Sequence, residues 1–88
     1  MNVIKRSGKE VIFDEEKILK AITKANESVD DIKYRLSTNQ INNIVMNVVN
    51  KCNALGRAVS VEEIQDFVEE NIMRENDYQV AKNYITYR

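Results

Sequence analysis

The chain has 88 residues, 43% of them hydrophobic, and its thirteen Lys and Arg against fourteen Asp and Glu leave a net charge of -1. That suits one compact domain over residues 1–88, and it supplies no positive field to draw the chain onto nucleic acid or an anionic membrane. With no histidine and a single cysteine, Cys52, neither an internal disulfide nor a zinc site of the usual N/S kind can be assembled, and the commonest groups for proton transfer and nucleophilic attack are scarce.

In chain order, Val3-Ile4-Lys5-Arg6 and Val11-Ile12-Phe13 are short β-prone runs separated by Ser7-Gly8-Lys9-Glu10. Gly8 can take positive φ there, so the segment is expected to be a hairpin. Asp14 suits an N-cap, Glu15 and Glu16 suit a first turn, and Ile18, Ile22 and Ala25 recur at helical spacing, which predicts a helix from Glu15 to Asn26. Glu27 to Leu36 has little periodicity and reads as a loop with Ile32 and Tyr34 turned inward. From Thr38 the apolar positions Ile41, Ile44, Val45, Val48, Val49, Cys52 and Leu55 form one wide stripe, the mark of a central core helix with Cys52 as a small buried residue.

Gly56 suits the left-handed end of that helix, Ala58-Val59 a third short strand, and Ser60 with Glu63 a capping box. In the third helix Ile64, Phe67, Val68 and Ile72 mark the inner face. Arg74-Glu75-Asn76 then reads as a polar break, and a last helix starts near Asp77 with a stripe of Tyr78, Ala81 and Ile85 broadened by Val80, Tyr84 and Tyr87. The expected class is α+β, in the order β-β-α-α-β-α-α: a four-helix bundle capped at one end by a three-stranded sheet too small to stand alone. Phe13 and Val59 are the residues expected to join sheet to bundle.

The acidic groups Asp14-Glu15-Glu16 and Glu62-Glu63 fall where helices start, where carboxylates complement the helix dipole, so no catalytic pair is assigned to them. The segment with chemical promise is the hairpin. Lys5 and Arg6 leave the strand on opposite faces but are long enough to turn toward one place, and Lys17 and Lys20 lie one turn apart on the helix that follows. Convergent cations beside a helix N-terminus are what a phosphate needs; the same residues would equally make a solvated basic edge that discourages strand pairing.

Four blocks decide between these: Val3-Ile4-Lys5-Arg6-Ser7-Gly8, Val11-Ile12-Phe13-Asp14-Glu15-Glu16-Lys17-Ile18, Ser60-Val61-Glu62-Glu63-Ile64-Gln65-Asp66-Phe67-Val68-Glu69 and Ala81-Lys82-Asn83-Tyr84-Ile85-Thr86-Tyr87-Arg88. Together, in this order and spacing, they resemble the ATP-cone domain over nearly the whole chain, with Ser7 where the family usually has Asp. The resemblance implies an allosteric module that binds ATP or dATP, with Mg, and regulates the activity and oligomeric state of a ribonucleotide reductase, the anaerobic ribonucleoside-triphosphate enzyme being one possibility. Cones also occur in a repressor of reductase genes that carries a zinc ribbon, which one cysteine cannot build.

Carried over by position, Lys5 and Arg6 contact phosphate, Lys17 phosphate or ribose, Asp14 the adenine edge, Ile18 the base face, and Gln65 the ribose or phosphates. Val11 and Val61 stand where some members have polar contacts. The implied partners are the nucleotide, a catalytic domain of the same parent chain and further copies of the chain, without nucleic acid or membrane. Met1, directly before the first strand, reads as a natural N-terminus, and a catalytic domain is expected to follow Arg88. No run of about 18 apolar residues suggests a membrane span, so a cytoplasmic setting is expected.

The domain itself is expected to be no enzyme: it has no Walker-type loop. The competing readings are a helical interaction module that has lost the nucleotide, a cone of another nucleotide-sensing protein and, against the net charge, a nucleic-acid binder through Lys5, Arg6, Lys17 and Lys20.

Overall fold

A computed structural model describes residues 1–75 and 78–88. Three strands, β1 (Asn2–Ile4), β2 (Glu10–Ile12) and β3 (Val59–Ser60), and four helices, α1 (Glu15–Glu27), α2 (Thr38–Ala54), α3 (Val61–Glu75) and α4 (Tyr78–Tyr87), follow in the expected β-β-α-α-β-α-α order. The sheet is mixed, in the order β2-β1-β3: Val3 pairs antiparallel with Val11 and parallel with Val59. Arg74 and Glu75, expected to open a polar break, are the last residues of α3; Asn76 and Asp77, the rest of that expectation, lie outside the described residues.

The first strand stops two residues short of the expected Arg6, because the turn begins at Lys5. The Lys5 carbonyl accepts from the Gly8 amide at 2.8 Å and the Lys5 amide donates to the Lys9 carbonyl at 2.9 Å, with Gly8 at φ +88°. Arg6 and Ser7 are thus the middle of a tight turn, where backbone pairing to a neighbouring strand is lost. Asp14 caps α1 as expected, its Oδ1 accepting from the Glu16 amide at 3.0 Å, and Ile18, Ile22 and Ala25 face the core.

The loop after α1 departs from expectation. Ile32 is 75% and Tyr34 37% exposed on a 3₁₀ turn (Ile32–Tyr34), while Val29 and Leu36 are buried in their place. Asn26 is the cause: buried at the end of α1, it donates through Nδ2 to the Leu36 carbonyl at 3.0 Å and accepts at Oδ1 from the Leu36 amide at 2.7 Å. Arg35 adds bonds to the Val29 and Glu27 carbonyls, and the chain is drawn back over the core at its two ends, with the 3₁₀ turn outside.

Ser37 and Gln40 form a capping box at the head of α2, and Ser60 and Glu63 form the expected one at α3, with the Glu63 amide 3.1 Å from Ser60 Oγ and the Ser60 amide 3.0 Å from Glu63 Oε1. Of the α2 stripe Ile41, Ile44, Val45, Val48 and Cys52 are buried and Val49 is half-buried, but Leu55 lies past the helix end and is exposed; Gly56 follows at φ +66°. On α4 the buried face is Val80, Ala81 and Tyr84, whereas Tyr78, Ile85 and Tyr87 are exposed. That helix packs against both α1 and α3, so the face between its neighbours, and not the stripe with most aromatic area, is the one that goes inside.

Val3 and Val59 from the sheet join Ile22, Ile44, Val48, Val68, Ile72 and Val80 in one core, and Phe13 packs half-buried against it. Joining of sheet and bundle through Phe13 and Val59 is therefore observed. Among the described residues no helix is long and apolar enough to cross a membrane.

Candidate functional site

Where the hairpin meets α1, the head of α3 and the end of α4, a cavity of about 300 Å³ opens to solvent, at the small end of the range for ligand sites. Its walls are mostly apolar: Val3, Val11, Ile12, Phe13, Ala21, Val61 and Ile64 line it together with Ile18. The polar groups are few and come from separate elements: Lys5 from the turn after β1, Asp14 and Lys17 from the start of α1, Gln65 from α3, and Tyr84 and Arg88 from α4 and the residue after it. The fold brings Lys5, Asp14, Lys17, Ile18 and Gln65, five of the six residues chosen from the sequence, around this one space.

Arg6 stands apart from that lining. Because the turn carries it past the strand end, its Nε lies 3.1 Å from Glu62 Oε1, and its Nη2 lies 3.5 Å from Gln65 Oε1. It sits at the rim, bridging the hairpin to α3. Lys20 is exposed and does not line the cavity. Asp14 has one carboxylate oxygen committed to capping α1, which leaves Oδ2 for another donor. Ile18, only 8% exposed, serves core and cavity wall at once.

Arg88 is a member of the site that residue chemistry did not single out. Its Nη1 donates to Gln65 Oε1 at 2.7 Å, and its Nε lies 2.8 Å from Glu69 Oε1. A lone arginine at the end of a helix carries no periodic signal; its only trace in the sequence is its place in the closing block. Beside it, burial pushes the Tyr84 hydroxyl up to about 12, with the Glu69 carboxylate adding to the rise and Arg88 opposing it. Tyr84 therefore remains a neutral hydroxyl across the physiological range.

Two other hollows, of about 470 and 450 Å³, are larger but chemically poorer. The first is lined by Arg57, whose guanidinium is already held by Glu63 at 2.7 and 3.0 Å. That pairing, then the Ser60 amide, brings the Glu63 carboxyl down to about 2. The second is lined by Asp14, Glu15 and Glu16 and would repel an anion. Among the described residues no three His, Cys, Asp or Glu side chains come together as a metal cluster. What the hairpin cavity offers is a mostly apolar slot whose lining includes a carboxylate oxygen of Asp14 and the lysine, arginine and amide groups of Lys5, Lys17, Arg88 and Gln65. Its lining has no histidine, cysteine or serine.

The family model described as the ATP cone domain matches residues 1–88. The ribonucleoside-diphosphate reductase subunit alpha of Chlamydia trachomatis (serovar D) is 35% identical over 95 residues, covering 100% of this chain and 9% of that protein. The subunit of the same name from Treponema pallidum (strain Nichols) is 34% identical over 91 residues, covering 100% of this chain and 11% of its own. In Chlamydia pneumoniae the identity is 34% over 91 residues, with 98% and 9% covered. The chain thus spans about a tenth of the length of these relatives.

Proposed function

Since this chain belongs to the ATP cone domain family, we propose that residues 1–88 act as one regulatory unit that takes ATP or dATP into the hairpin cavity and signals its occupancy to a larger protein. The observation that carries this reading is the convergence of Lys5, Asp14, Lys17, Ile18 and Gln65, from three separate stretches of chain, on one apolar slot.

In this arrangement Ile18 packs on the adenine face, and the second oxygen of Asp14 accepts from the adenine 6-amine, where guanine has a carbonyl that could only accept. Lys5 and Lys17 take the phosphates. Arg6 joins them by leaving Glu62, an exchange that costs little because both side chains are more than half exposed. Mg would be held chiefly by the phosphates of the nucleotide and not by side chains, since a hard cation of this kind is usually bound through substrate phosphates. Val11 and Val61 add apolar wall where a polar contact would otherwise tighten the site.

The relatives point to a ribonucleotide reductase as the parent, and their printed name favours one acting on ribonucleoside diphosphates over the anaerobic triphosphate enzyme. On this reading the partners are the catalytic domain of the same chain and further copies of it, and nucleotide shifts an equilibrium between assembly states by its differential affinity for them. The domain contributes binding, and catalysis resides elsewhere in the parent, in a cytoplasmic setting. Isothermal titration of the domain with ATP, dATP and GTP tests the reading: saturable binding of an adenine nucleotide in preference to GTP is expected, and absence of binding at millimolar ATP refutes it.

A further inference from the structure

Gln65 is 91% buried by its 9% relative exposure, yet it lines the cavity, and its amide is not free to choose which end it presents there. Oε1 accepts from Arg88 Nη1 at 2.7 Å and lies 3.5 Å from Arg6 Nη2. A guanidinium carries donors only. Turned the other way, the amide would set its own N–H groups against those of two cations, so the oxygen belongs on the arginine side and the NH2 is the end left for the cavity.

The tighter of the two arginines is itself anchored. Arg88 Nε lies 2.8 Å from Glu69 Oε1, with the two side chains 29% and 17% exposed, and the Arg88 amide continues α4 by donating to the Tyr84 carbonyl at 3.0 Å. Glu69, Arg88 and Gln65 therefore form a relay that ties α3 to the end of α4 and ends in an amide donor; its first link is an ion pair, since Glu69 Oε1 is buried without a hydrogen-bonding donor, and its second is a hydrogen bond. The Arg88 charge is largely met by Glu69, so its contribution to the cavity is orientation more than attraction.

Resting on the proposed nucleotide site, we propose that Arg88 is a positioning residue: held by Glu69, it fixes the Gln65 amide so that its NH2 donates to a phosphate oxygen of the bound nucleotide. Polarisation by the Arg88 guanidinium strengthens the amide as a donor, and the neighbouring Lys5 and Lys17 make an anionic acceptor the natural partner.

A double-mutant cycle on the intact chain tests this, with ATP as the probe and calorimetry as the readout. Arg88→Met and Gln65→Ala should each weaken ATP binding about 10- to 100-fold, the scale of a hydrogen bond to a charged group. The double variant should be no more than about 3-fold weaker than Gln65→Ala alone, since Arg88 has nothing to position once the amide is gone. Losses that multiply in the double variant, or an Arg88→Met protein that binds like the wild type, overturn the proposal. Circular dichroism checks folding; if methionine leaves Glu69 too poorly compensated to fold, Arg88→Lys keeps a cation for it and the same cycle is read from that variant. A wild-type chain that does not bind ATP refutes the nucleotide reading and this relay with it, whereas a wild type that binds and a cycle without coupling refutes the relay alone.

Discussion

Replacing Glu62 by glutamine should tighten nucleotide binding. Glu62 holds the Arg6 guanidinium at 3.1 Å, and with side chains 63% and 56% exposed the pair is of the weak, solvated kind. Such pairs contribute about 0.2–1 kcal/mol, and Arg6 must give this up before it can reach a phosphate. Removing the competitor returns that energy to binding, a gain of about 1.4- to 5-fold in affinity. The upper end requires Arg6 to leave Gln65 as well, and that contact, at 3.5 Å, is long.

The substitution has a stability cost of its own, because Glu62 is an acidic residue in the first turn of α3. Losing its charge there costs about 0.3–1 kcal/mol, so the variant should melt slightly earlier while binding more tightly. Titration calorimetry at about 0.02 M and about 0.15 M salt reads the effect, and the gain should shrink at the higher salt as the competing pair is screened. In an Arg6→Ala background the gain should vanish. An affinity equal to or below that of the wild type, or a gain that survives without Arg6, would refute the reasoning.

Lys5→Ala should weaken ATP binding by about 10- to 100-fold, because a charge-assisted contact is lost, while the thermal midpoint moves little since Lys5 is exposed; an unchanged titration curve contradicts the assignment. Glu63 should give a pH signature: its carboxyl is lowered from 4.5 to about 2 by Arg57 and then by the Ser60 amide, so the stability it contributes is present above about 4.5 and lost as pH falls toward 2. Glu63→Gln should therefore be less stable than the wild type at neutral pH and converge on it in acid, as chemical denaturation at a series of pH values would show; parallel curves would exclude the linkage. Cys52 is 1% exposed and its thiol is pushed up by burial and then by Glu63, with Lys51 opposing. A thiol reagent at neutral pH should modify it only as fast as the domain opens, and immediate labelling of the native protein would contradict that placement.

Most of the frame was legible in the residues. Helix starts carry local signals, and Asp14 and the Ser60–Glu63 box act as their types and spacing imply. The stripe from Ile41 to Cys52 was legible because a 3.6-residue period needs no partner to be recognised, and all of it but the half-buried Val49 is buried. Expectation failed where the outcome depends on contacts distant in sequence or on a single side chain's reach. Ile32 and Tyr34 looked like core residues of their loop, but the hold of Asn26 on Leu36, ten residues away, turned Val29 and Leu36 inward. On α4 six of the ten positions, Tyr78, Val80, Ala81, Tyr84, Ile85 and Tyr87, are apolar or aromatic, more than one face can hold; packing between α1 and α3 selected Val80, Ala81 and Tyr84.

The same division runs through the site. Lys5, Asp14, Lys17, Ile18 and Gln65 were identifiable from chain order and block spacing, and they line one cavity. That Arg6 is diverted to Glu62, and that Arg88 reaches Gln65 and Glu69, required the tertiary structure: the residues of each pair lie far apart along the chain, and their meeting depends on where a tight turn and the end of a helix leave two long side chains. Local chemistry and periodicity determine which elements form and which residues are fit to bind an anion, because those properties belong to a residue and its near neighbours. Which cation is free and which is already paired is a property of the packed molecule, where electrostatic partners are assigned by distance in space and not by distance along the chain.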